Sequence, residues 1–88
     1  MTRNEKREII IKIIYETIML EKANTNYNLD DLINEQIEEK DEFINDTLKG
    51  ILENKDNIIE VSNKYLKDKW EFSRLAVPDQ AIIIYRYS

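Results

Sequence analysis

The 88-residue chain contains a single glycine and a single proline, and this scarcity constrains its fold more than any other feature. Glycine and proline mark turns and interrupt helices, and no stretch shows the apolar and polar alternation of a half-buried strand. The sequence therefore predicts an all-α fold: a compact bundle of about five helices forming one domain over residues 1–88. Isoleucine supplies much of the 42% hydrophobic content, which is enough to build a core.

The first predicted helix, over residues 2–20, opens with a capping box in which Thr2 and Glu5 satisfy each other's backbone amides. Isoleucines and other apolar residues then cover more than half of the helix circumference. Only the line formed by Glu8, Lys12 and Glu16 stays polar. A helix with so much apolar surface is expected at the centre of its bundle.

Four further helices are predicted from capping residues and apolar periodicity. Asn28 is the expected cap of the second helix, and Pro78 is expected at the first position of the fifth. Gly50 lies inside the third helix, where we expect another helix to approach closely. The four predicted helices span residues 28–38, 41–53, 56–68 and 78–87.

The composition removes several classes of function. The chain has no cysteine and no histidine, so it lacks disulfides, thiolate metal sites and the usual neutral-pH acid or base. Carboxylate pairs such as Asp30 and Asp31 fall in no known metal or catalytic loop and are expected to form a solvated face. We predict a cytoplasmic binding protein that is not an enzyme and that uses no cofactor, metal or small-molecule substrate. Neither a signal peptide nor a membrane-spanning run is recognisable.

The charge is unevenly distributed along the chain. The net charge is -5, but the acidic residues concentrate in the middle, and both ends lean basic. Broad nucleic-acid affinity is not expected of such a chain, because non-specific binding depends mostly on neutralising phosphates. Any contact with nucleic acid must therefore be local.

A cluster of cations opens the first helix. Arg3 and Arg7 are one turn apart with Lys6 beside them, and Lys12 follows further along. Cations at a helix N-terminus oppose the helix dipole, so stability alone does not explain them, and phosphate contact is a reasonable alternative. A second basic group lies near the end of the fourth helix, where cations suit the dipole and a structural role is favoured; it comprises Lys64, Lys67, Lys69 and Arg74.

Two segments carry a recognisable pattern, TRNEKREIIIKIIYE at residues 2–16 and WEFSRLAVPDQAIII at residues 70–84. In this order and spacing they resemble the NusB family of bacterial transcription antitermination proteins. The first resembles the family's opening helix, and the second resembles its W-x-x-x-R-L-x-x-x-D-R-A-I-L-R pattern. The matching residues are Arg7, Glu8, Tyr15, Trp70, Arg74, Leu75, Asp79, Ala81 and Ile82.

The resemblance implies a function in transcription. It implies an RNA-binding antitermination or termination factor that contacts boxA-like RNA of ribosomal transcripts together with the ribosomal protein NusE. The expected RNA-binding residues are Arg3, Lys6, Arg7 and Lys12. Two alternatives are a NusB-like interaction or self-association module that binds no RNA, and the accessory NusB-like domain of an RNA methyltransferase.

The resemblance also implies a truncated NusB-like bundle, because family members carry further helices beyond the position of Ser88. We therefore expect Ile82, Ile83 and Ile84 to lack cover within the chain. Exposed apolar residues of this kind favour association, and a homodimer is predicted. The expected partner or self-association surface comprises Ile82, Ile83, Tyr85 and Tyr87.

Overall fold

The computed structural model describes residues 1–66 and 71–88, and within these the fold is all-α, as predicted. The predicted end of the fourth helix, the cations Lys67 and Lys69, and Trp70 lie outside the described residues. The described helices are α1 (Arg3–Lys22), α2 (Leu29–Gln36), α3 (Glu42–Glu53), α4 (Lys55–Tyr65), the short 3-10 helix η1 (Phe72–Arg74) and α5 (Val77–Arg86).

Helix α1 is the central element of the bundle, as its apolar circumference predicts. Ile10, Ile13 and Ile14 are completely buried, and the helix packs against α2, α3 and α5. The capping box is present: the amide of Glu5 donates to the Thr2 hydroxyl, and the amide of Thr2 donates to the Glu5 carboxylate, both at 3.1 Å. The pKa of Glu5 is lowered, mainly by its hydrogen bond from the Thr2 backbone.

Helix α5 runs antiparallel to α1. Its C-terminal end lies beside Arg7, and its N-terminal half lies beside Ile18 near the other end of α1. This packing corrects the expected lack of cover at the three isoleucines. Ile84 is fully buried and Ile83 is half-buried, whereas Ile82 is 43% exposed. The prediction was wrong for Ile84 because α1 and its neighbours cover that face of α5.

Asparagine and aspartate caps set the starts of α2 and α3. Asn28 accepts a hydrogen bond from the amide of Asp31, as expected, and Asp41 accepts one from the amide of Ile44. Ile37 adopts an extended conformation, so α2 ends before the predicted residue 38. Asn54 alone separates α3 from α4, so the two helices are almost continuous.

Two local expectations need correction. Pro78 occupies the second helical position, because α5 begins at Val77. Gly50 does not mark a close approach of helices, since a Cβ atom built there meets nothing within 4 Å. Its side of α3 faces an open groove of about 450 Å³ that Asn57 and Tyr87 also line.

Side-chain contacts fix the connection into α5. The buried Gln80 donates from Nε2 to the carbonyl oxygen of Phe72 at 2.9 Å, and the Phe72 amide donates to Asn63 at 3.0 Å. Phe72 is buried and Leu75 is half-buried. These contacts hold η1 against α4 and α5.

Candidate nucleic-acid interface

The N-terminal turn of α1 presents Arg3 to solvent. The capping box anchors the backbone at Thr2 and fixes the direction in which the first turn emerges from the bundle. Arg3 is exposed and forms no ion pair within residues 1–66 and 71–88. Its guanidinium is therefore available to a ligand.

Lys6, by contrast, is held by contacts within the bundle. Its Nζ atom lies 2.9 Å from Oδ2 of Asp41 and 5.7 Å from the ring centre of Phe43. The pKa of Asp41 is lowered, chiefly by the hydrogen bond from the Ile44 amide and then by Lys6. Lys6 thus joins the start of α1 to the start of α3, and this role explains a cation that opposes the helix dipole.

Arg7 lies over an aromatic ring of α5. Its guanidinium carbon is 5.8 Å from the ring centre of Tyr85, a distance typical of a cation–π contact. Tyr85 is half-buried, whereas Arg7 remains exposed. The ring restricts the side chain of Arg7 and leaves its guanidinium edge open to hydrogen-bond acceptors.

A groove of about 350 Å³ runs between α1 and α5 beside this contact. Arg7 and Lys12 contribute cations to its lining, and Glu8 contributes one carboxylate. Its apolar lining comes from both helices: Ile11, Tyr15, Pro78, Ala81 and Ile82. The groove therefore combines an apolar floor with a mainly positive rim.

Part of each predicted set lies in this region: Arg7 and Lys12 of the RNA-binding residues, and Ile82 and Tyr85 of the self-association residues. Ile82 lines the same groove as Lys12, and Tyr85 contacts Arg7. Tyr87 lies apart from the groove and stacks on Tyr65, with ring centres 5.7 Å apart and planes inclined by 13°. The two sets are adjacent because α5 is antiparallel to α1, a relation that residue spacing alone does not reveal.

Sequence reasoning missed three residues that contact the predicted site residues. Asp41 and Phe43 engage Lys6, and Tyr65 stacks on Tyr87. The sequence did contain a signal for the first two: the acidic capping residue Asp41 lies two residues before the aromatic Phe43 at the start of α3. Tyr65 gave a weaker one, because an aromatic near a helix end fits core packing equally well.

Neither a metal centre nor a membrane span is found in the described parts of the chain. Residues 1–66 and 71–88 contain no group of three or more acidic residues placed to hold a metal ion. In the same ranges, no helix has the length and hydropathy needed to cross a bilayer.

A family model identifies the family to which the chain belongs. No curated protein and no solved structure matched it. The model of the NusB family matches residues 4–85, which include nearly all of α1 and α5 and the residues that line the groove. This range contains residues 4–16 of the first segment that carries the sequence resemblance and all of the second, and the chain belongs to the NusB family.

Proposed function

We propose that this chain is a cytoplasmic RNA-binding factor of transcription antitermination or termination, and not an enzyme. It contacts boxA-like RNA of ribosomal transcripts together with the ribosomal protein NusE. Family membership supports this role, since NusB proteins are transcription factors that bind RNA. The observation that carries the proposal is the exposed Arg7, held over Tyr85 at the rim of the groove that Lys12 also lines.

This geometry suits single-stranded RNA. A guanidinium fixed over a ring loses less conformational freedom on binding, and it can donate two parallel hydrogen bonds to a phosphate. Arg3 lies one helical turn before Arg7 and is exposed, so successive phosphates can meet both side chains. The apolar floor of the groove offers contact to an unstacked base.

The acidic character of the chain makes this interface local. With a net charge of -5, most of the surface repels RNA, and the cations of α1 must supply the attraction. Lys6 contributes less than Arg3 and Arg7, because its ammonium already pairs with Asp41. The charge pattern thus favours RNA binding at one short stretch of the surface over non-specific binding across the whole surface.

The proposal predicts that the Arg3→Ala, Arg7→Ala double variant loses affinity for boxA-like single-stranded RNA. We expect at least about tenfold weaker binding at low salt. The plot of log K against log salt concentration should also become shallower, its slope shrinking in magnitude by about 1.4. Fluorescence anisotropy with a labelled RNA measures both quantities. NusE added to the wild-type complex should tighten RNA binding.

A matched double variant controls for overall charge. Lys22→Ala with Lys49→Ala removes two exposed cations from the end of α1 and from α3. It should retain nearly all of the RNA affinity. Equal losses in the two double variants would contradict the assignment of Arg3 and Arg7, and no RNA binding by the wild type at low salt would refute the proposed function.

A second candidate function is self-association without RNA binding. The 43% exposure of Ile82 supports it, because the residue lies over an apolar groove that a second copy of the chain could cover. Tyr85, which contacts Arg7 at the rim, would flank that contact, whereas Tyr87 stacks on Tyr65 away from the groove. Sedimentation that detects only monomer at high protein concentration would contradict this candidate.

A further inference from the structure

At the end of α5, Tyr85 and Tyr87 contact different helices, while Ile84 enters the core. Tyr85 contacts Arg7 of α1, and Tyr87 stacks on Tyr65 of α4. Arg86, between them in sequence, is exposed. Aromatic and cationic groups therefore alternate around this end of the helix.

The tyrosine stack leaves one ring largely open. Tyr65 is 70% exposed although it lies nearly parallel to Tyr87, which is half-buried. A ring whose role is to join α4 to α5 would be expected to bury more of its apolar surface. Tyr87 instead supports one face of Tyr65 and restricts its orientation, while most of the outer ring meets solvent.

Exposed cations adjoin both tyrosines in sequence, and the carboxylate of Asp46 lines the groove beside Tyr87. Lys64 precedes Tyr65 and Arg86 precedes Tyr87, and both cations are exposed. Proteins that bind single-stranded nucleic acid combine such cations with aromatic rings on which bases stack. Every base has a flat face, so this kind of contact depends little on sequence.

We propose that Tyr65, supported by Tyr87, is a stacking platform for one nucleobase of single-stranded RNA. The platform lies on the α4 side of α5, whereas the groove with Arg7 and Lys12 lies on the α1 side. Arg86 is placed to contact the phosphate backbone that joins the two sides. This inference rests on the proposed RNA-binding function and extends the RNA path around the end of α5.

The test compares variants of Tyr65 that separate the effect of the flat ring from the effects of side-chain bulk and of the hydroxyl group. Tyr65→Ala removes the platform, Tyr65→Leu keeps apolar bulk without a flat ring, and Tyr65→Phe keeps the ring. The exposed Met19 of α1 provides the control Met19→Ala, which removes another large apolar side chain. Circular dichroism and thermal unfolding establish that each variant is folded.

The probe is a labelled oligouridine of about twelve nucleotides, a length within the range of single-stranded binding sites. We expect Tyr65→Ala and Tyr65→Leu to weaken binding by about five- to hundredfold, as loss of one stacked base does. Tyr65→Phe and Met19→Ala should bind like the wild type. Since Tyr65 carries no charge, the salt slope should stay unchanged, unlike that of the arginine variant.

An abasic oligomer of the same length has no bases to stack, so it measures binding to the backbone alone. On this backbone-only probe, Tyr65→Ala and the wild type should bind equally. Folded Ala and Leu variants that keep wild-type affinity for oligouridine would overturn the platform while leaving the proposed function intact. A wild-type chain that binds no RNA at low salt would overturn both.

Discussion

Gly50 occupies an interior position of α3 that packing does not explain. It lies between the buried Leu48 and Ile51, its φ angle is not positive, and a Cβ atom would enter open space. Glycine in a helix interior is less favourable than alanine because more backbone freedom is lost on folding. The residue therefore lowers stability without relieving any clash.

We predict that Gly50→Ala raises the free energy of unfolding by about 0.5–1 kcal/mol. Urea unfolding followed by circular dichroism measures the change. The comparison Leu48→Ala, at a fully buried site of the same helix, should lower it by about 2–5 kcal/mol. A destabilised Gly50→Ala variant would mean that the groove beside α3 is narrower than the structure indicates.

At the scale of single residues, contacts between residues close in sequence could be predicted, whereas contacts between residues far apart in sequence could not. The caps at Thr2 and Asn28 were recognisable because each partner amide lies three residues away in sequence. The burial of Ile84 depends on α1, far away in sequence, and adjacent isoleucines look identical in a pattern. Sequence reasoning therefore located the apolar segment but could not tell Ile84 from the exposed Ile82.

The start of α1 and the start of α3 are joined by one carboxylate. Asp41 caps α3 through the Ile44 amide and also pairs with Lys6 of α1. These contacts lower the pKa of Asp41, the hydrogen bond from Ile44 being the larger cause. The unfolded chain therefore binds this proton more readily than the folded chain does, so protonation favours unfolding.

We predict that the contribution of Asp41 is fully present above its ordinary pKa of about 3.9 and is lost as the pH falls through the lowered folded value. Asp41→Asn keeps a capping side chain but removes the charge. It should be less stable than the wild type near neutral pH, and the two stabilities should converge in acid. Urea unfolding at a series of pH values provides the measurement.

The exposed Asp46 of the same helix supplies the matched control, because it forms no ion pair within residues 1–66 and 71–88. Asp46→Asn should not reproduce the loss at neutral pH or the convergence. Glu5 also has a lowered pKa, but it is unchanged in both variants and contributes equally. A constant gap between Asp41→Asn and the wild type at every pH would contradict the prediction.

At the scale of the whole molecule, the all-α class and the helix order followed from the sequence alone. The scarcity of glycine and proline, together with the apolar periodicity, was sufficient for both. The composition of the candidate site was harder to predict, because Arg7 meets Tyr85 only when the two ends of the chain are brought together. Antiparallel packing of α1 and α5 creates the groove, and no local pattern encodes that pairing.

The same packing makes the two candidate functions separable with one substitution. Ile82→Lys places a charge over the apolar groove without disturbing the core, since the residue is 43% exposed. In a symmetric dimer both copies would carry the change, so we expect the dissociation constant to rise by at least about 30-fold. Binding of RNA should be retained or strengthened, because the groove gains a cation.

Met19→Lys is the control for this variant, because Met19 is 44% exposed but does not line the groove. Sedimentation velocity over a range of concentrations measures association, and anisotropy measures RNA binding. If self-association is the function, only Ile82→Lys should shift the chain to monomer. If RNA binds in the groove, that variant should still bind RNA, because the added cation attracts phosphates and the aliphatic stem of lysine keeps apolar contact with a base. A loss of RNA affinity would contradict this expectation.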